Sequence, residues 1–178
     1  VFIFEFPYGE EIQWWVEVSD GESITSSSTW TFIVSEELYH DGPSWFVSLL
    51  GNDSTGNGSN LYPFGSIQHT IDQSIDNDTI NIKVGTYVEH ITISHSLVIK
   101  GLKQYYEKPI LDGSESSRII SVLDNNISIQ IEDLIFQNGY SSSSGGAIYA
   151  NNSRISINKC EFLYNSAVDQ GGAIISGH

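Results

Sequence analysis

Residues 125–150 and 151–176 are two copies of one pattern, NNISIQIEDLIFQNGYSSSSGGAIYA followed by NNSRISINKCEFLYNSAVDQGGAIIS. At the 26-residue offset nine positions are identical without a gap: Asn125/Asn151, Asn126/Asn152, Ile129/Ile155, Ile131/Ile157, Phe136/Phe162, Gly145/Gly171, Gly146/Gly172, Ala147/Ala173 and Ile148/Ile174. Apolar and polar residues alternate over short stretches bounded by Asn or Gly, a strand period that helical repeats, which need longer segments, do not have. Short strands recurring at a fixed interval can be buried by stacking each pass of the chain on the last at ~4.8 Å, so that equivalent residues form columns. The inward columns expected are Ile129/Ile155, Ile131/Ile157, Phe136/Phe162 and Ile148/Ile174. Glycines would permit the tight or left-handed corners, and the paired asparagines are expected to stack their amides in a ladder.

Looser versions of the pattern lie upstream: Ile80, Ile82 and Val84, then Ile91 and Ile93, Leu97-Val98-Ile99, Ile110-Leu111, and Ile119-Ile120 with Val122. Residues 79–178 would thus make roughly four turns, above the minimum of about three that a solenoid needs. Before them Ile67, Ile71 and Ile75 fall at helical spacing, with Phe64 one turn earlier and Ser66 placed as N-cap. A short helix there would cover the open apolar end of the first coil, a cap that solenoids need. The expected fold is all-β, a parallel β-helix with a short N-terminal capping helix.

A different pattern precedes it. IQWWVEVS (12–19) alternates, Asp20-Gly21 signals a turn, and TWTFIV (29–34) carries Trp30, Phe32 and Val34 on one face. The pair reads as a hairpin with a long connection from Asp20 to Ser28. Two strands cannot bury their own apolar faces, so the hairpin belongs to a partial β-sandwich whose other strands are missing, or it docks on the region after it, the first being preferred. The expected domains are 1–34, a linker at 35–44, and 45–178.

Composition narrows the partners. With 39 % hydrophobic and 12 % aromatic residues the chain should fold, and no apolar run approaches the ~18 residues of a membrane span. Seven Lys+Arg against 22 Asp+Glu give −15, which argues against nucleic acid and anionic lipid. The charge is uneven: residues 1–82 carry −13 and no base, residues 83–178 carry −2. The single Cys160 excludes an internal disulfide framework, and its apolar setting favours a buried thiol over a nucleophile. The chain opens on Val-Phe-Ile-Phe without Met or a basic leader, and closes at Gly177-His178 just past a GGAI corner. It is expected to be a fragment that continues into further coils.

From Ser44 onward the chain resembles right-handed parallel β-helix proteins of the pectate-lyase-like superfamily. The likeness is carried by Gly51, Asp53, Gly56, Pro63, Phe64, Ser66, Ile67, Thr70, Ile71, Asp78, Thr79, Ile80, Gly85, Thr86, Tyr87 and Glu89, which match the amino-terminal capping pattern G-x-D…G…PF-x-[ST]-I-x-x-[AT]-I…D-T-I…G-T-Y-x-E. GGAI, with F-x-x-N at Phe162–Asn165, resembles the repeats of polymorphic outer-membrane proteins, which act as adhesins; the first unit departs from it as FQNG. WWVEVSDG followed by WTFIV resembles the last two strands of a fibronectin type III-like domain. The resemblance implies a polysaccharide-directed or adhesive surface protein, extracellular or on the cell surface, but carries no catalytic residue. β-Helix lyases use an acidic calcium site with a basic residue, and the glycosidases use clustered Asp. Here the 26-residue register puts Glu132 over Asn158, Asp133 over Lys159 and Glu161 over Ile135, so no carboxylates stack. Arg118 and Arg154, the only arginines, lie 36 apart.

The candidate sites are few. GNDSTGNGSN offers Asn52, Asp53, Asn57 and neighbouring carbonyls to calcium, or is a polar loop whose glycines serve turns, the latter preferred. His40, His69, His90, His95 and His178 show no metal-ligand spacing. Tyr105, Tyr106 and Tyr140 are candidates for stacking on sugar rings, against a packing role for most of the tyrosines. Asn52, Asn57, Asn77, Asn126 and Asn151 open N-x-[ST] sequons, usable if a eukaryote secreted the chain. The expectation is a non-catalytic surface module that binds a polysaccharide or cell-surface glycan; the alternative is the amino-terminal part of a polysaccharide lyase, esterase or hydrolase with its catalytic residues on further coils.

Overall fold

The computed structural model describes residues 11–33 and 40–177, in two compact units divided after Tyr39. The expected placement of Val34 and the linker at 35–39 fall outside the described residues. In the first unit, β1 (Glu11–Trp14), β2 (Glu17–Ser19), β3 (Ile24–Ser26) and β4 (Trp30–Ile33) are all short. β1 pairs antiparallel with β4, Trp14 opposite Trp30 with their rings stacked at 4.5 Å. The stretch 20–28 is not the long open connection its Ser and Gly content suggested, because β3 folds back on β2, antiparallel, within it. The Asp20-Gly21 turn makes this possible: Asp20 Oδ1 accepts the Glu22 and Ser23 amides at 2.9 and 2.8 Å, and Gly21 sits at φ +93°. Trp14, Trp15, Val16, Val18, Ile24 and Trp30 are all exposed.

The second unit is β-rich with one short helix. It opens with β5 (Ser44–Val47) and α1 (Ile67–Gln73), so Ser44, expected in the linker, is already strand. Four passes come after them. The first makes β6 (Asp78–Lys83), β7 (Thr86–Tyr87) and β8 (Ile91–Ile93); the second β9 (Leu97–Leu102), β10 (Ile110–Asp112) and β11 (Ile120–Val122). The third makes β12 (Ser128–Glu132), β13 (Ile135–Gln137), β14 (Tyr140–Ser141) and β15 (Ile148–Asn151); the fourth β16 (Arg154–Asn158), β17 (Glu161–Leu163), β18 (Ser166–Ala167) and β19 (Ile174–Gly177). Each pass adds one parallel strand to each of three sheets, ordered β5-β6-β9-β12-β16, β7-β10-β13-β17 and β8-β11-β15-β19, with β14-β18 as a minor fourth pair.

The registers align the apolar residues in columns. Trp45, Ile80, Ile99, Ile131 and Ile157 form one; Tyr87, Leu111, Phe136 and Phe162 another; Ile91, Ile120, Ile148 and Ile174 a third. Every expected column is present at the 26-residue offset, and Phe136 and Phe162 stack at 5.0 Å with a 6° tilt. The corners repeat as well. Asn126/Asn152, Asp133/Lys159, Asn138/Tyr164 and Gly145/Gly171 all take positive φ, although two of these pairs share no residue type. At the first corner the link between passes is main chain, Asn126 N–H to Asn152 O. What asparagine supplies there is tolerance of the left-handed conformation, rather than the amide ladder expected.

Candidate functional site

At the amino-terminal end of the second unit several residues that the sequence singles out hold one another in place. Asp53 accepts the Gly65 and Ser66 amides on Oδ1 at 2.7 and 3.1 Å and the Ser66 hydroxyl on Oδ2 at 2.7 Å. Ser66 is the N-cap residue of α1, but its hydroxyl is spent on Asp53 and makes no cap bond. Glu89 caps instead, each carboxylate oxygen taking one helix amide, from Ile67 and Gln68, at 3.0 Å. Ile67 and Ile71 are buried as expected, whereas Ile75 is exposed because the helix stops at Gln73 and Ser74 is extended. Gly51 is required because the Phe64 carbonyl occupies the space a Cβ would need. Inside, the Trp45 indole N–H donates to buried Asp78 at 2.7 Å. Tyr87 donates its hydroxyl to Lys83 O at 2.8 Å, and burial with the nearby Glu89 charge pushes its pKa up to about 12.

The side-chain oxygens offered to calcium all accept from protein donors. Asn52 Oδ1 accepts the Ser54 and Thr55 amides, Asn57 Oδ1 accepts Ser59, and Asp53 is engaged as above. Burial works against the Asp53 charge, but the Ser66 hydroxyl and the Gly65 and Ser66 amides outweigh it and hold the carboxyl below its usual range. Among the described residues no group of three or more His, Cys, Asp or Glu gathers as a metal cluster would. Cys160 is half-buried, its thiol donates towards Ile131 O and Asn158 O, and burial pushes its pKa up, the reverse of an activated nucleophile. The described residues hold no helix long and apolar enough to cross a membrane.

The tyrosines separate. Gln104 and Glu107 exchange both backbone hydrogen bonds, at 3.1 and 2.9 Å, so Tyr105 and Tyr106 are the two central residues of a tight turn. Both have positive φ, +50° and +75°, the primed-turn geometry that selects Asn and Gly. They are 88 % and 100 % exposed. Tyr106 stands at the edge of a groove of about 610 Å³ along the second sheet, whose floor is the outward column Thr86, Ile110, Ile135 and Glu161. Lys108 crosses it, donating to Glu161 at 2.7 Å and Lys159 O at 2.8 Å. Lys103 pairs with Asp133 at 2.6 Å, and that adjacent cation keeps the Asp133 carboxyl low despite some burial. Tyr140 lines a different depression, beside Arg118.

Sequence reasoning missed Lys108 and Glu161 as groove residues, though the repeat register that places Glu161 over Ile135 was a usable signal. Nothing in KQYYEK announces a tight turn, since Gly, Asn, Asp and Pro are all absent from it. Comparison with protein-family models, with curated proteins and with solved structures gives no match in any of the three.

Proposed function

We propose that residues 40–177 are part of a right-handed parallel β-helix and serve as a non-catalytic surface module that binds a polysaccharide or cell-surface glycan along the groove of the second sheet. The β-helix reading is supported by the cyclic visits to three parallel sheets. Its hand follows from the strong preference for right-handed crossovers between parallel strands. The observation that carries the function is the Tyr105-Tyr106 turn. Two large aromatic rings occupy left-handed positions that cost energy, and the rings cover no core.

The exposed Tyr106 ring beside a floor of two isoleucines flanked by Thr86 and Glu161 suits the apolar faces and hydroxyls of a sugar, with Tyr105 adjacent on the same turn. Asp20, Asp53 and Asp112 are held below their usual range by the hydrogen bonds they accept, and Asp133 by the adjacent Lys103 cation, the opposite of the raised pKa that a general acid needs.

The test is a glycan-array screen with and without calcium, followed by mass analysis of bound glycans. Retention without cleavage, lost in a Tyr105→Ala/Tyr106→Ala double variant that keeps its unfolding midpoint, is the expected result. Shortened or unsaturated products would turn the reading to the enzyme, and binding indifferent to both tyrosines would remove the groove.

A further inference from the structure

Arg118 precedes β11 and reaches under the serine loop that comes after β14. Its Nε donates to Gly145 O at 2.9 Å, Nη1 to Ser121 Oγ at 3.1 Å, and Nη2 to Ser144 O and Ser141 Oγ at 2.8 and 2.9 Å. The Tyr149 ring lies under the guanidinium, 4.7 Å from Cζ to centroid. Every one of these partners is neutral. In a chain with 22 acids and seven bases, both ion pairs among the described residues belong to lysines. A half-buried cation held only by neutral groups keeps its full charge in a medium that screens it poorly.

That charge faces an open depression of about 340 Å³ lined by His90, Ser117, Tyr140, Ser142 and Ser143. His90 Nδ1 donates to Arg118 O at 2.5 Å, which fixes the ring at the rim. A guanidinium has five N–H donors; Nη2 also lies 3.4 Å from Ser143 Oγ, and one hydrogen of Nη1 is left without a protein acceptor. Glu89, beside His90 in sequence, is committed to α1. A cation, an imidazole and several hydroxyls around one cavity match a group with delocalised negative charge and several acceptor oxygens.

We infer that the Arg118 depression binds an oxyanion, the sulfate, phosphate or carboxylate group of an external ligand. This site stands apart from the tyrosine groove and does not depend on it. The experiment is a ¹H–¹⁵N titration of the whole chain with sodium sulfate, sodium phosphate and sodium glucuronate, against sodium chloride at matched ionic strength. Saturable shifts at Arg118 Nε–H, Ser117, Ser142 and Ser143 are expected with the oxyanions and not with chloride. Ser142→Asp should supply a tethered counter-charge and weaken binding on the order of tenfold or more, while Ser142→Asn should stay within about twofold. Tighter binding of glucuronate than of the inorganic ions would assign the site to acidic sugars, and the reverse order to free ions. Shifts that do not saturate, that chloride reproduces, or that survive Ser142→Asp would overturn the inference and leave Arg118 as a clamp on its loop.

Discussion

The first pass of the parallel strands and the fourth contribute to the same three sheets and are held by different chemistry. In the first, buried Asp78 heads the column Leu97, Ile129 and Ile155 and takes the Trp45 indole. Glu89 holds α1, and the Gln68 side-chain amide bonds both the N–H and the C=O of Thr92 in β8. This edge strand is therefore paired with a side chain where a further strand would sit. In the fourth pass β16, β17 and β19 are the outermost strands of their sheets. Ile157 is exposed where Ile131 is fully buried. One end is fixed by specific polar bonds that occur once, the other by apolar columns that repeat, and the two should respond differently to the same kind of damage.

The largest effect is expected in the columns. Phe136→Ala empties a fully buried site between Leu111 and Phe162 and should cost about 3–5 kcal/mol. Phe162→Ala, at a half-buried site with one ring neighbour, should cost less than half as much. Urea denaturation of both variants measures this, and equal costs would show that burial does not distinguish the passes. Next is Asp78→Ala, which leaves the Trp45 indole N–H and the Ile75 amide without an acceptor; about 1–3 kcal/mol is expected. Glu89→Ala frees two helix amides at solvent's edge and should cost about 1 kcal/mol.

This division also explains how much was legible from the sequence. Columns are periodic, so Ile129, Ile131, Phe136 and Ile148 and their partners were legible from the 26-residue offset alone. The capping interactions are single events between residues far apart in sequence, such as Glu89 with Ile67 or Trp45 with Asp78, and no period marks them. Backbone-driven features were legible only in part. Asp20-Gly21 announced its turn, whereas β3 and the Tyr105-Tyr106 turn use residues whose propensities point elsewhere. Of the candidate site, the two adjacent tyrosines were visible as a hydrophilic insertion, but their separation from Tyr140 depends on which sheet each corner leaves.

The same comparison can be sharpened with pH. Asp53 has its carboxyl held low at the capping end, and so does Asp112 between the second and third passes, where burial is outweighed by Gln137, the Ser114 amide and Asn138. Because the folded values lie below the unfolded one, their contribution is present above about pH 4 and is lost as pH falls through the folded values. Tyr87 gives the opposite limb. Its folded pKa of about 12 lies above the unfolded one near 10, so stability is kept below about pH 10 and declines as pH rises towards 12. Unfolding midpoints across both ranges should flatten on the acid side in Asp53→Asn and on the alkaline side in Tyr87→Phe. An alkaline decline unchanged in Tyr87→Phe would mean that other groups set it.

The smallest effect concerns the two corners at which the third and fourth passes share a backbone without sharing residues. Asn138 and Tyr164 have the same φ of +54°, and Asp133 and Lys159 have +54° and +52°. Asn and Asp tolerate that region better than Tyr and Lys. Tyr164→Asn should therefore stabilise the chain, by about 0.5 kcal/mol, because the exposed ring of Tyr164 gives up little packing when removed. Asn138→Tyr should do the reverse and lose more, since the Asn138 amide also bonds Asp112 at 3.2 Å. A rise in the unfolding midpoint for the first exchange and a fall for the second would show that the corner conformation, and not the side chain found there, is what the repeat preserves. If Tyr164→Asn instead lowers the midpoint, the tyrosine contributes a contact that its exposure does not reveal, and the equivalence of the two corners fails at the level of energy while holding at the level of geometry.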